Sequence, residues 1–425
     1  MAKRISKKAK KYVKQNYKSI ATFLAVVILI LALTILITYL IKPQIIINLF
    51  NAVEREYYNY VKNYYYDSED DDPSGINGET VSPIPEGELA EITGADLSIH
   101  FLELGNKYTG DCTLIKVGEN TEVLIDAGSR KSSATTITSY VQQYCTDGVL
   151  EYVIATHAHQ DHIAGFVGNN SGNSKTGVLY QFKVQTLIQF SLHNTNSVIY
   201  NEYVSAVEYL KTQGTTVYDA KECWYEQNGA KKSYVLDEAG NISLNLLYNY
   251  YYENQTDDEN DYSVCTLLTQ KIGGVENNYL FTGDLEKKGE EYLVKNNNLP
   301  ECVLYKGGHH GSKTSSTDGL LSRIKPKYVA VCCCAGATEY TDNNQNTFPT
   351  QAFIDRVSKY TDKIYVTTLC TDYDKGEYQS MNGNIVFYYG KKESEDEASL
   401  KLWCSNNTTI LKDTDWFKNN RTWGG

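Results

Sequence analysis

No Cys-x-x-Cys pair occurs among the ten cysteines, which leaves a structural zinc ribbon unsupported. Their spacing is irregular, and Cys332-Cys333-Cys334 are consecutive. Neighbours on a strand point to alternate faces, so this run suits a packed core better than a disulfide framework, and any bridges stay unassigned. No solenoid-type repeat runs through the chain. Charged residues make up 22% and hydrophobic residues 41%; that balance argues against wholesale disorder, a collagen repeat or a many-span channel. Acids are missing from residues 1–20, where Lys3, Arg4, Lys7, Lys8, Lys10, Lys11, Lys14 and Lys18 crowd together. The net charge is −12, so the rest of the chain is more acidic than the total suggests. A body of that sign is not built to hold polyanions by long-range attraction.

Beyond the basic segment (1–19), the chain runs from Ile20 to Ile41 with no charged residue. This stretch is long enough to cross a hydrocarbon core of about 30 Å as a helix. A buried core helix is the competing reading, and the basic flank argues against it. A cleaved signal peptide would need a shorter apolar stretch and a small-residue cleavage site, but Lys42-Pro43-Gln44 comes directly after. The expectation is a single-pass membrane protein, with residues 1–19 in the cytoplasm and everything after Lys42 outside. The lipid bilayer is then its first partner.

Residues 42–94 read as a juxtamembrane stretch and a solvated acidic tether, Asp67 to Glu91. The folded part is expected over 95–395, with a tail at 396–425 whose Trp416, Phe417 and Trp423 pack back on it. Strand patterns occur at Leu97–Leu102, Cys112–Val117, Glu122–Asp126, Glu151–Ala155, Val264–Thr269, Asn278–Thr282, Cys302–Tyr305 and Tyr328–Cys333. Helical patterns occur at Ser132–Tyr144, Leu285–Lys295 and Ala352–Lys359, with an amphipathic stretch around Tyr203, Val207 and Leu210. Strands come first and then alternate with helices, which gives a layered α/β protein. The 36 tyrosines, with the run Tyr248-Asn249-Tyr250-Tyr251-Tyr252, read as strand packing and compositional bias rather than a stacking platform.

Five of the seven histidines sit in two short loops, each just after a strand-like run. The first loop is Thr156-His157-Ala158-His159-Gln160-Asp161-His162. In extended backbone His157 and His159 face one way, and Asp161 and His162 reach a second point nearby. Imidazole with carboxylate suits zinc, iron or manganese. The second loop, Lys306-Gly307-Gly308-His309-His310-Gly311-Ser312, places glycines around a histidine pair, so backbone can approach a metal or an anion closely. Between them lies Thr282-Gly283-Asp284, an acid at a strand end, placed to bridge two cations.

These motifs, with Phe101-Leu102-Glu103-Leu104-Gly105, Gly110-Asp111-Cys112, Leu124-Ile125-Asp126-Ala127-Gly128, Thr282-Gly283-Asp284-Leu285-Glu286 and His309-His310-Gly311-Ser312-Lys313-Thr314-Ser315-Ser316, resemble the metallo-β-lactamase superfamily from about Ile99 to Tyr389. More narrowly they resemble the C-terminal metallo-hydrolase domain of ComEC-type competence proteins and its stand-alone relatives. The resemblance implies an αββα sandwich with one or two divalent metals, Zn²⁺ or Mn²⁺, at one edge of its sheets. It implies that His157 and His159 hold one metal, that Asp161 and His162 hold the second, that Asp284 bridges, and that His310 or His309 completes the site. Asp126 would orient the metal loop from behind. Two departures stand out. Many members carry another metal histidine between the first loop and the bridging acid; here only His193 falls in that interval, as an extra ligand or a loop residue. ComEC-like members often carry a His-Pro further on, where this chain has Phe348-Pro349.

The expected chemistry is metal-dependent hydrolysis, with catalytic roles for Asp284 and for Asp161, the latter as proton acceptor if it is not a ligand. Lys306, Lys313 and the hydroxyls of Ser312, Thr314, Ser315 and Ser316 are candidates to bind an anionic group. Ser315-Ser316 equally suit the N-cap of a helix at Asp318 to Arg323. A phosphodiester is the first substrate class, by resemblance: nucleic acid, nucleotide or envelope polymer. The acidic body opposes tight non-specific DNA binding. A lactone, thioester or β-lactam is the alternative, and a non-catalytic surface protein that kept the fold ranks last.

Overall fold

The computed structural model describes residues 86–105, 110–171, 174–338, 341, 343–390 and 398–424. The Ile20–Ile41 run and its basic flank lie outside them. Among the described residues no helix is long and apolar enough to cross a membrane.

Two eight-stranded sheets form the body. In the first, the strands run in the order Ser399–Cys404, Ile385–Gly390, Leu97–Phe101, Thr113–Val117, Thr121–Ile125, Val149–Ala155, Lys183–Gln189 and Thr216–Asp219. In the second, the order is Glu377–Ser380, Ile364–Asp372, Tyr328–Ala335, Leu304–Lys306, Val275–Phe281, Thr266–Ile272, Ile242–Leu246 and Ser233–Val235. Each sheet is part antiparallel and part parallel. Thr121–Ile125 pairs parallel with Val149–Ala155, and Val275–Phe281 with Leu304–Lys306. The parallel parts require crossovers, which helices such as Ser133–Val141 and Lys287–Asn296 supply. The two sheets meet through aromatic contacts: Phe101 lies 6.3 Å from Phe281, and Phe387 lies 5.2 Å from Tyr328. This is the expected α/β sandwich.

Residue patterns explain the elements. Leu97–Phe101 and Thr113–Val117 are buried throughout because both faces are covered, and their polar residues find partners there: His100 contacts Ser98 and Tyr140, and Lys116 pairs with Glu122. The amphipathic stretch becomes the helix Val198–Thr212, with Tyr203, Val207 and Leu210 buried and Ser197 accepting from the Tyr200 N–H at its start. Cys332, Cys333 and Cys334 are all buried on the strand Tyr328–Ala335, and all ten cysteines are free thiols.

Three expectations need correction. The acidic tether is not solvated to its end: Glu86–Thr93 is a helix whose Ile92 is buried and whose Glu91 accepts from the Tyr388 hydroxyl. Tyr250–Tyr252 is a 3₁₀ turn rather than a strand; Asn249 caps it, and Tyr250 stacks on Tyr292 at 4.2 Å. The helix Asp318–Ile324 is capped by Thr317, not by Ser315 or Ser316. In the tail, Ser399–Cys404 pairs with Ile385–Gly390, and Phe417 is buried against Trp423.

Candidate metal centre

The chemistry-bearing residues follow strand ends at one edge of the sandwich. Asp126 follows Thr121–Ile125, His157 and His159 follow Val149–Ala155, Asp284 follows Val275–Phe281, and His310 follows Leu304–Lys306. Asp111 precedes Thr113–Val117, a strand running antiparallel to Thr121–Ile125, so it reaches the same edge. Neighbouring strands that end together bring side chains distant in sequence within a few Å. Gly110 makes this close approach possible: its φ is +61°, and a Cβ there would overlap the Asp161 carbonyl.

The rings of His162 and His310 define the centre. Each has one nitrogen engaged behind it. His162 Nδ1 lies 2.7 Å from Asp126 Oδ2, while Asp126 also accepts from the Thr156 N–H and hydroxyl. His310 Nδ1 donates to the Cys332 carbonyl at 2.8 Å and lies 3.3 Å from Asp111 Oδ1. The two Nε2 atoms therefore point forward, 3.2 Å and 3.1 Å from the same atom, Asp284 Oδ2. Asp161 Oδ2 lies 3.3 Å from His310 Nε2. Both Nε2 atoms and Asp284 Oδ1 are buried without a well-directed hydrogen bond. Ring nitrogens and carboxylates crowded at 3.1–3.3 Å in a dry interior, without well-directed hydrogen bonds, are costly, and a divalent cation would satisfy them. The residues fit the metal that the motifs imply.

Asp111 also lies within reach of His162, Asp284 and His310. Its contacts fall on the Nδ1 sides of both rings, at 3.9 Å from His162 and 3.3 Å from His310. Its other oxygen is paired with the Lys306 ammonium. Asp111 is thus a carboxylate behind the histidines, setting their orientation, and not a ligand in front of them.

The charges are tightly coupled. Burial opposes charge on His162 and His310, yet Asp284 and the other carboxylates outweigh it and hold both imidazoles well above the ordinary histidine range. Burial opposes ionisation of Asp284 and Asp161 too, but the facing imidazoles bring both well below the usual carboxylate range. Without metal, protons on His162 and His310 balance the acids. His157 goes the other way: burial, then His162 and His159, push it well below the ordinary value and keep its lone pair available.

A second group of donors adjoins the first. The His157 and His162 rings lie 4.1 Å apart. His157 Nε2 is 3.0 Å from His159 Nδ1, which is 2.9 Å from Asn260 Oδ1.

Several expected roles look different in the structure. Lys306 is buried, salt-bridged to Asp111 and 3.9 Å from Asp284 Oδ1, so its charge is not offered to a substrate anion. Lys313 is exposed and donates to Asn346. The Ser312 hydroxyl is buried and bonds Thr314 at 2.7 Å. His309 is set apart from its neighbour: Nδ1 is held by Glu286 at 2.8 Å, and Nε2 stands 3.9 Å from Asp284. Of the pair, His310 is the one the structure turns into the centre. His193 is exposed, contacts the Thr195 carbonyl through Nδ1 and packs on Tyr200. It makes no hydrogen bond or ring contact with His157 or His159 among the described residues. Phe348 lies beside both loop histidines, 5.8 Å from the His309 ring and 6.2 Å from that of His310.

Sequence reading missed Asp111, Lys306 as its partner, Glu286 and Asn260. Asp111 and Glu286 were visible within the Gly110-Asp111-Cys112 and Thr282-Gly283-Asp284-Leu285-Glu286 motifs, but without a role. A lysine between a strand and a glycine pair signals burial with a partner only once the strand is known to be central. Asn260 carried no signal, because asparagine is not a ligand type that spacing singles out.

Residues 105–168 match the Metallo-beta-lactamase superfamily. Competence protein ComA from Neisseria gonorrhoeae is 38% identical over 119 residues, which cover 28% of this chain and 16% of ComA. Recombination protein 2 from Haemophilus influenzae is 34% identical over 67 residues, 16% of this chain and 8% of that protein. The match therefore spans a small part of both relatives. Among solved structures, the subclass B3 metallo-beta-lactamase BJP-1 of Bradyrhizobium japonicum is 12% identical, with 63% of this chain and 88% of that one covered and a TM-score of 0.30. Unliganded yeast PDE1 is 10% identical, with 63% and 82% covered and a TM-score of 0.29.

Proposed function

We propose that this chain, which carries a metallo-beta-lactamase superfamily domain, is a membrane-anchored, metal-dependent hydrolase that cleaves a phosphodiester outside the cytoplasm. One observation carries the metal-dependent reading: the Nε2 atoms of His162 and His310, buried and without well-directed hydrogen bonds, converge on the same oxygen of Asp284. His162, His310 and Asp284 would hold a divalent cation, which would supply a water acidified to a pKa of about 7 and a positive charge facing the substrate. The protein's own contribution is orientation. Asp126, the Cys332 carbonyl and Asp111 fix which nitrogen each imidazole presents. Asp161, at the first turn of the helix Gln160–Val167 and 3.3 Å from His310 Nε2, would orient the attacking water and take its proton if it is not itself a ligand.

Three features support the phosphodiester. The relatives are named for competence and recombination, both processes of nucleic acid. The His309–Ser316 loop matches the ComEC-type motif. Lys313, the exposed cation of that loop, would meet a substrate anion by exchanging its bond to Asn346. The acidic whole, at −12, favours a local anion site over tight non-specific DNA binding. The Ile20–Ile41 run supports the anchor and, by its basic flank, the outward orientation of the domain.

The test is hydrolysis of bis(p-nitrophenyl) phosphate by the full-length protein in detergent, with Zn²⁺ or Mn²⁺ and with chelator. Turnover should require metal and fall at least about a hundredfold in Asp284→Asn, since loss of a ligand costs no less than loss of its outer partner. A folded, metal-loaded protein with no turnover on this diester removes the phosphodiesterase reading and turns the search to lactones, thioesters and β-lactams.

A further inference from the structure

The donors beside the His162–His310 centre pose a problem of hydrogen bonding. His159 Nδ1 contacts both His157 Nε2, at 3.0 Å, and Asn260 Oδ1, at 2.9 Å. A ring nitrogen has one in-plane position, filled either by a proton or by a lone pair. A proton on Nδ1 must be shared between two acceptors, and a lone pair there leaves the asparagine oxygen facing it unpaired. One cation in front of all three atoms satisfies each of them. Donors about 2.0–2.2 Å from a common cation stand on the order of 3 Å apart, the spacing from His159 Nδ1 to each of the other two.

Asn260 is held in place for such a role. It lies on the 3₁₀ turn Glu259–Tyr262, is buried, and its own N–H donates to Asp258. The preceding Glu259 is also buried. One of its oxygens accepts from the Ala158 N–H at 3.1 Å, between the two histidines, and the other from the Asn194 N–H at 2.7 Å. Glu259 therefore fastens the turn to the metal loop and fixes the distance from Asn260 to His159. His193, next to Asn194, is instead exposed and packed on Tyr200.

We infer that Asn260 Oδ1 is the third protein donor, with His157 Nε2 and His159 Nδ1, of a second divalent-cation site that is weaker than the His162–His310–Asp284 site. This rests on the metal-dependent reading above. A neutral amide oxygen in place of a third imidazole gives the site less charge and less basicity, and moves its preference from zinc toward manganese. The two sites then fill in order, and the second fills only at higher metal concentration.

The experiment is Mn²⁺ titration of full-length, chelator-stripped protein in detergent, reading free Mn²⁺ by electron paramagnetic resonance. The wild type should bind one ion tightly and a second at least tenfold more weakly. Asn260→Ala should abolish the weak step and leave the tight one. Asn260→Asp, which keeps the shape and adds a charge, should tighten the weak step at least tenfold. His193→Ala should change neither. Two unchanged steps in folded Asn260→Ala overturn the assignment, as does a weak step lost in His193→Ala instead. If Asn260→Ala does not fold, the Asn260→Asp titration decides alone: an unshifted weak step overturns the assignment. A wild type that binds no Mn²⁺ or Zn²⁺ refutes the metal-dependent reading itself, a result distinct from two steps that ignore Asn260.

Discussion

At the residue scale, Asp126 shows how a carboxylate outside the centre sets its chemistry. It stands at φ +59°, a left-handed conformation that Asn and Asp tolerate best. One oxygen accepts from the Thr156 N–H; the other takes the Thr156 hydroxyl and faces His162 Nδ1 at 2.7 Å. An ionised Asp126 keeps the proton of His162 on Nδ1 and leaves Nε2 for metal. Asp126→Asn preserves backbone and shape but offers an amide that can face Nδ1 as a donor, favouring the wrong tautomer. Metal affinity should fall roughly 10- to 100-fold, the usual cost of losing an outer partner, with an unchanged circular dichroism spectrum. A metal titration checks this. The histidine–aspartate string was legible in the sequence because five histidines in two loops is a pattern of residue type. Asp111 and Lys306 were not legible as a pair, since their partnership depends on strands meeting across the fold.

Elements explain how the second loop keeps its shape. His309 and His310 both lie in the left-handed region, at φ +46° and +52°, a conformation that costs about 1–3 kcal/mol per residue. Two helices offset that strain. From Gln351–Val357, Arg356 donates to the carbonyls of Ser316, Ser315 and Lys313, at 2.8, 2.7 and 3.1 Å. From Lys287–Asn296, Glu290 accepts from the N–H groups of Ser316 and Thr317. These two side chains hold the chain just beyond the histidines from both sides. Arg356→Met keeps the apolar stem and removes the donors. Amide hydrogen exchange across residues 312–317 should then accelerate at least tenfold, while exchange in Val149–Ala155 stays as it was; equal protection in the variant would show that the loop holds itself. The helices themselves were legible from periodicity. Their role was not, because a surface arginine reads the same in sequence whether it meets water or backbone carbonyls. The segment between residues 190 and 262 was hardest to read, since its short strands and 3₁₀ turns take their conformation from tertiary contacts.

For the molecule as a whole, the centre links stability to proton and metal concentration with opposite signs. His162 and His310 are held above the ordinary histidine value by the surrounding acids. In metal-free protein their contribution is fully present below the unfolded value of about 6.5 and is lost as pH rises through their folded values. Asp284, Asp161 and Asp111 are depressed; their contribution is present above about 3.9 and is lost only as pH falls through their folded values. Between pH 6 and 9 these three acids add no slope, and the two imidazoles make the chelated protein less stable as pH rises. Metal reverses this, because the cation takes the place of those protons and binding releases them. The melting temperature with saturating Mn²⁺ minus that with chelator should therefore widen steadily from pH 6 to 9. Taking the difference cancels every titrating group that is indifferent to metal, including those of residues 1–85, which lie outside the described structure. A difference that is flat across this range would mean that metal and protons do not compete for His162 and His310, and that their converging Nε2 atoms are not where the cation binds.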